Sequence, residues 1–111
     1  MKISKQYRHF VSARGIQLRS LGIYETALER TDALAAIEFL RSDMIPILGG
    51  DVYLRRDAKI EPAYANWHSD REDRESNEEY LTRSWASTEA YIRRYPEPPN
   101  GTPLFVLVLG E

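Results

Sequence analysis

Chemistry in this chain would have to come from a short set of side chains: His9 and His68, seventeen carboxylates and a scatter of serines, with no cysteine. The lack of cysteine removes thiol nucleophiles, thiolate metal sites and disulfide frameworks together, and it fits a reducing compartment. Zinc would need more ligands at a recognisable spacing, and neither histidine has them nearby in sequence. His68 lies close enough to Asp70 to pair with it. A hydrolase triad can be written from Ser69 or Ser84 with His68 and an aspartate, but no nucleophile-elbow motif surrounds either serine. The sharper feature is Ile45-Pro46-Ile47-Leu48-Gly49-Gly50-Asp51-Val52-Tyr53. A carboxylate after two glycines could hold a metal beside a nucleotide, yet the further acidic residues and framework of such sites are missing. No P-loop lysine follows and no GxGxxG spacing is present. Glycine admits positive φ and close backbone approach. The pair therefore predicts a tight turn leading into a strand, with Asp51 either bonded to the turn backbone or offered to a partner.

Binding is the other chemistry available. Between Asp70 and Glu79 lie six carboxylates against two arginines. Asp70, Glu72, Asp73 and Glu75 are either a solvated loop or a negative patch that meets a basic protein face, where carboxylates would steer encounter and select partners. Trp67 precedes this loop. Buried, it would anchor a strand against a helix; exposed, it would anchor a partner, since tryptophan is enriched among interface hot spots. Nucleic acid is disfavoured, because the neighbours of Trp67 are acidic where stacking on RNA would want interleaved basic residues.

The elements that must position these residues follow from periodicity and punctuation. Ser4 can cap a first helix with Tyr7, Phe10 and Val11 on one face and Gly15 as its stop, although a strand from Gln6 to Ser12 is also open. Tyr24, Ala27 and Leu28 suggest a short helical piece. Thr31 or Asp32 can cap a helix carrying Leu34, Ile37, Leu40 and Met44. Pro46 ends it and extends Ile45. A hairpin spans about 51–67, with turn residues from Arg55 to Lys59, and Pro62 places its second strand at an edge. Ser76 and Glu79 form a capping box for a long helix over about 77–95. Tyr80, Leu81, Ser84, Trp85, Thr88, Tyr91, Ile92 and Tyr95 make one stripe on it, its aromatics more suited to core than to a ligand platform. After the Pro96–Pro103 loop, Leu104–Leu109 reads as a strand buried on both faces. The predicted fold is α+β: a small, mostly antiparallel sheet packed against two to four helices.

Size and charge set outer bounds. At 111 residues the chain is most simply one domain, residues 1–111. A net charge of -2 provides no basic field to gather nucleic acid. The N-terminal Met1–Gln6 lacks the apolar region of a secretory signal, and Leu104–Leu109 is too short to span a bilayer. These features predict a cytoplasmic protein without membrane or nucleic-acid partners.

Several of these segments together resemble a known family. The Ile-Leu-Gly-Gly-Asp-Val-Tyr segment, Leu21-Gly22-Ile23, the aliphatic helix around Ala33–Leu40, Tyr64-Ala65-Asn66-Trp67 and the Tyr91-Ile92-Arg93-Arg94-Tyr95 helix end are similar to immunity protein family 40 of the bacterial polymorphic-toxin systems. The likeness runs from about Leu18 to Val108, and departs at Ala65, where the family pattern would carry an acidic residue. The resemblance implies a non-catalytic protein without cofactors, which binds a cognate toxin domain and protects the producing cell. Many such toxins are nucleases with basic grooves, which suits an acidic inhibitor. It assigns no contact residues; Asp51, Trp67, Asp70, Glu72, Asp73 and Glu75 are the candidates. The alternative from another class is a general protein-interaction or scaffold domain with no toxin partner, and an enzyme would require a large concave pocket with convergent polar groups.

Overall fold

A computed structural model of the chain describes residues 3–110. Among them are three α-helices and five strands. Helix α1 (Lys5–Arg14) is followed by β1 (Ile16–Gln17), a 3₁₀ turn (Arg19–Leu21) and β2 (Thr26–Glu29). Helix α2 (Arg30–Ser42) leads to the hairpin β3 (Ile47–Arg56) and β4 (Lys59–His68), then α3 (Asn77–Arg94) and β5 (Thr102–Leu109). The sheet runs β1-β2-β5-β3-β4 and is antiparallel throughout. The apolar strand β5 is the middle one, buried on both faces from Pro103 to Val106. Strand β4, which carries Pro62, lies at the edge.

The three helices cover one face of the sheet. Tyr7 of α1, Ala33, Ala36, Ile37 and Leu40 of α2, and Trp85 and Ile92 of α3 pack on Leu28, Ile47, Val52, Trp67 and Phe105. Each large side chain fully buried here contributes roughly 1.5–3 kcal/mol. Helix α3 also grips the backbone: the Trp85 indole N–H donates to the Ile45 carbonyl at 2.7 Å, and the Ile47 N–H donates to the Ser84 hydroxyl at 3.2 Å. The expected capping box is present, with Ser76 accepting from the Glu79 N–H and Glu79 accepting from the Ser76 N–H. Ser4 caps α1 as a helix, which settles the choice left open over Gln6–Ser12.

Three local expectations are corrected. Residues 26–29 form strand β2, not a helical piece, because pairing of Leu28 with Phe105 buries Ala27 and Leu28 on opposite faces of the sheet. Helix α2 starts at Arg30, ahead of Thr31 and Asp32, and no side chain caps it. Asp32 sits in the first turn, where its charge suits the helix dipole. Met44 leaves the helix and takes φ 58°. The Ile45 N–H reaches the Leu40 carbonyl and the Met44 N–H reaches that of Arg41, which closes α2 as a Schellman motif.

The glycine pair is also not a turn. Gly49 and Gly50 lie inside β3, where backbone approach, and not chain reversal, requires them. A Cβ at Gly50 would stand 2.2 Å from the Trp67 ring and 2.3 Å from the Val106 carbonyl oxygen. Gly49 has φ +152°, and a Cβ there would meet the Trp67 carbonyl oxygen at 2.1 Å. The Trp67 indole lies against Gly50, stacks on Tyr91 with ring centroids 4.6 Å apart, and donates its N–H to the Thr88 hydroxyl at 3.1 Å. The two sequence segments that stood out separately are one packing device.

Candidate functional site

The second face of the sheet is divided. At one end residues 18–23 lie across it, so that Leu18, Leu21 and Ile23 pack on Tyr53, Ile60, Leu104 and Val106. Among the described residues the other end has no such cover. Pairing places Asp51 beside Asn66, and Gly49 beside His68 and Val108, so these residues share the uncovered half. Val108 and Leu48 are 37 % and 40 % exposed there. Two adjoining grooves of about 330 and 290 Å³ run along this half, and Asp51 lines both.

Tyr64 borders the second groove. The β3–β4 register jumps from Val52↔Ala65 to Tyr53↔Pro62, leaving Ala63 and Tyr64 without partners on β3. Within this bulge Tyr64 takes φ 56° and is 92 % exposed. A bulge at a sheet edge can re-aim a side chain. Sequence reasoning placed Tyr64 in a strand segment that carries the family resemblance but not among the contact candidates, and it also missed Leu48 and Val108; the register jump that exposes Tyr64 leaves no signature beyond nearby Pro62.

The acidic loop is held, not loose. Arg83 on α3 donates to the Glu75 carboxylate at 2.6 and 2.9 Å and to the Asp70 carbonyl oxygen, and it approaches Glu72 at 3.5 Å. Its guanidinium also stands 5.7 Å from the Tyr80 ring centroid. Tyr80 donates its hydroxyl to the Ser69 carbonyl at 2.7 Å, and the Ser69 N–H donates to the Leu48 carbonyl at 2.8 Å. The loop is thereby fastened to both α3 and β3. Bonding to Arg83 and to the Glu72 N–H holds the Glu75 carboxyl down at about 2, and the same partnership raises the Arg83 guanidinium further.

The sequence-predicted contact residues separate accordingly. Asp51 makes no turn hydrogen bond of the expected kind; it sits in mid-strand on the uncovered half. Asp70 lines the first groove, and Glu72 and Asp73 are exposed on the fastened loop. Trp67 is 7 % exposed and belongs to the core. The Glu75 side chain is 8 % exposed and is committed to Arg83.

The serines written into a triad have other work. Ser84 is fully buried, accepting from Ile47 and donating to Leu81. Ser69 is buried at 2.7 Å from the Ser87 hydroxyl. Neither has a histidine beside it among the described hydrogen bonds. No ion pair between His68 and Asp70 forms within 4.0 Å among the described residues, and His9 and His68 are both exposed. Among the described residues no three His, Asp or Glu side chains converge to hold a metal ion, and no described helix is long and apolar enough to cross a membrane.

The sequence matches the family model described as Immunity protein 40 over residues 17–109. The chain belongs to the immunity protein 40 family. The matched span takes in the sheet from Gln17 of β1 onward, α2 and α3 and leaves α1 outside, so both the glycine–tryptophan device and the uncovered half-face lie in the immunity protein 40 region. No curated protein and no solved structure matches the chain.

Proposed function

We propose that this immunity protein 40 domain binds a cognate bacterial toxin domain in the cytoplasm and neutralises it stoichiometrically, protecting the cell that makes it, with no catalysis of its own. One observation carries the reading beyond the family: an acidic loop fastened by Arg83 stands beside an uncovered half of the sheet. A surface already fixed in shape loses little conformational entropy on binding, which favours tight association. Carboxylates on the loop steer a basic partner and select against others.

Calorimetry against the toxin domain encoded next to this chain, at low and high salt, tests the proposal. Tight one-to-one binding that weakens with salt is expected, because exposed charges are screened. No detectable binding to a folded and active toxin domain would overturn it.

A further inference from the structure

We infer that the partner docks on the uncovered half of the sheet, with Tyr64 as the apolar anchor and with Asp51 and Asp70 receiving basic side chains of the partner. This rests on the neutralisation reading above, and it assigns that reading a surface and a partner chemistry. Tyr64 combines two unfavourable conditions. It is 92 % exposed, and it holds a left-handed φ of 56° that a non-glycine residue adopts only at a cost of about 1–2 kcal/mol. Leu48 and Val108 add partly exposed apolar surface on the same half-face. Tyrosine is one of the residue types enriched among interface hot spots, and this one stands exposed beside shallow grooves.

The charges fix the partner's chemistry. Asp51 and Asp70 are, among the described residues, the carboxylates lining the two grooves, and no described Lys or Arg lines either groove. Among the described residues neither carboxylate has a cation within 4.0 Å. The loop that follows Asp70 exposes Glu72 and Asp73 together with Arg71 and Arg74, so the unpaired negative charge on this surface is that of the groove carboxylates. Nucleic acid would bring phosphates against these carboxylates. A second copy of the chain, meeting through the same patch, would set Asp51 and Asp70 against their own counterparts. A protein surface with lysine or arginine around an apolar contact satisfies both the charges and the exposed Tyr64.

Tyr64→Gly separates this assignment from a merely structural role. Glycine removes the aromatic ring while suiting the left-handed backbone, so the variant should keep its melting temperature and bind the neighbouring toxin domain roughly thirty-fold more weakly. Asp51→Asn should weaken binding at low salt and flatten its salt dependence. Tyr24→Ala, which removes an aromatic that is 89 % exposed and lines neither groove, should leave affinity unchanged. If the wild-type chain binds and Tyr64→Gly and Asp51→Asn bind equally well, the docking surface is overturned and neutralisation stands. If the wild-type chain does not bind, both fall.

Discussion

The two halves of the outer sheet face are built on the same three strands, yet they carry different residues. Under residues 18–23, strands β3 and β5 present Tyr53, Leu104 and Val106, all buried. Beyond that cover the same strands present Asp51 and Val108, and β4 presents Asn66 and His68. A residue on the covered half contributes by leaving water, at about 25 cal/mol per Å² of apolar surface. A residue on the open half contributes little to folding, so its type is free to serve a contact. Residues 18–23 thus divide one sheet face into a core and a surface available for binding.

Truncation on each side should show the division most strongly. Leu18 is fully buried over Leu104 and Val106, so Leu18→Ala should destabilise the fold by about 2–5 kcal/mol. Val108→Ala, on the open half, should stay within about 0.5 kcal/mol of wild type. Urea unfolding of both variants checks this. Equal losses would mean that the open half is core in solution and would remove the basis for the contrast.

The glycine seat comes next. Gly50→Ala would press a methyl group on the Trp67 ring and the Val106 carbonyl, and should destabilise by about 1–3 kcal/mol. Because the ring and the methyl compete for one space, adding Trp67→Leu should cost less in the Gly50→Ala background than in wild type. A double-mutant cycle reads this coupling. Strict additivity would show that Gly50 and Trp67 are not one device.

Tyr64→Gly carries the opposite sign. Relief of the left-handed φ should leave the protein unchanged or up to about 1 kcal/mol more stable, measured by thermal unfolding. A clear loss of stability would show that the Tyr64 ring packs on the sheet and is not held out for contact.

The sequence made some of this legible and hid the rest for physical reasons. Helix α3 was readable because its capping box and apolar stripe are local signals, and β5 because a strand buried on both faces must be nearly all apolar. The hairpin and the edge position of β4 followed from the turn residues and Pro62. Strand β2 was misread because four residues are too few for periodicity to declare itself; its strand state comes from pairing with β5. The glycine pair suggested a turn since φ freedom and close approach leave the same mark in sequence, and only the position of Trp67, seventeen residues on from Gly50, tells them apart. Asp51 and Asp70 were singled out by type. Trp67 and Glu75 were singled out with them, but which residues face outward depends on packing and on Arg83. Tyr64 was passed over because its exposure comes from a register jump.

The smallest expected effect concerns the loop bordering the open half. The Glu75 carboxyl lies near 2 in the folded protein, below its ordinary 4.5, because Arg83 and the Glu72 N–H hold the ionised form. A group depressed on folding stabilises the folded state fully above its unfolded value, and that contribution fades as pH falls through the folded one. Wild type should therefore exceed Glu75→Gln in melting temperature at neutral pH, with the gap closing between about pH 4.5 and 2. Thermal scans at pH 7, 4 and 2.5, in units that need only bracket that window, check this. A gap that persists unchanged at the lowest pH would mean that packing, and not the charge pair, fastens the loop. In that case Asp70 would be held in place by the Tyr80 and Ser69 bonds and by the direct bond from Arg83 to its own carbonyl oxygen, and the acidic border of the open half would not depend on the Glu75 charge.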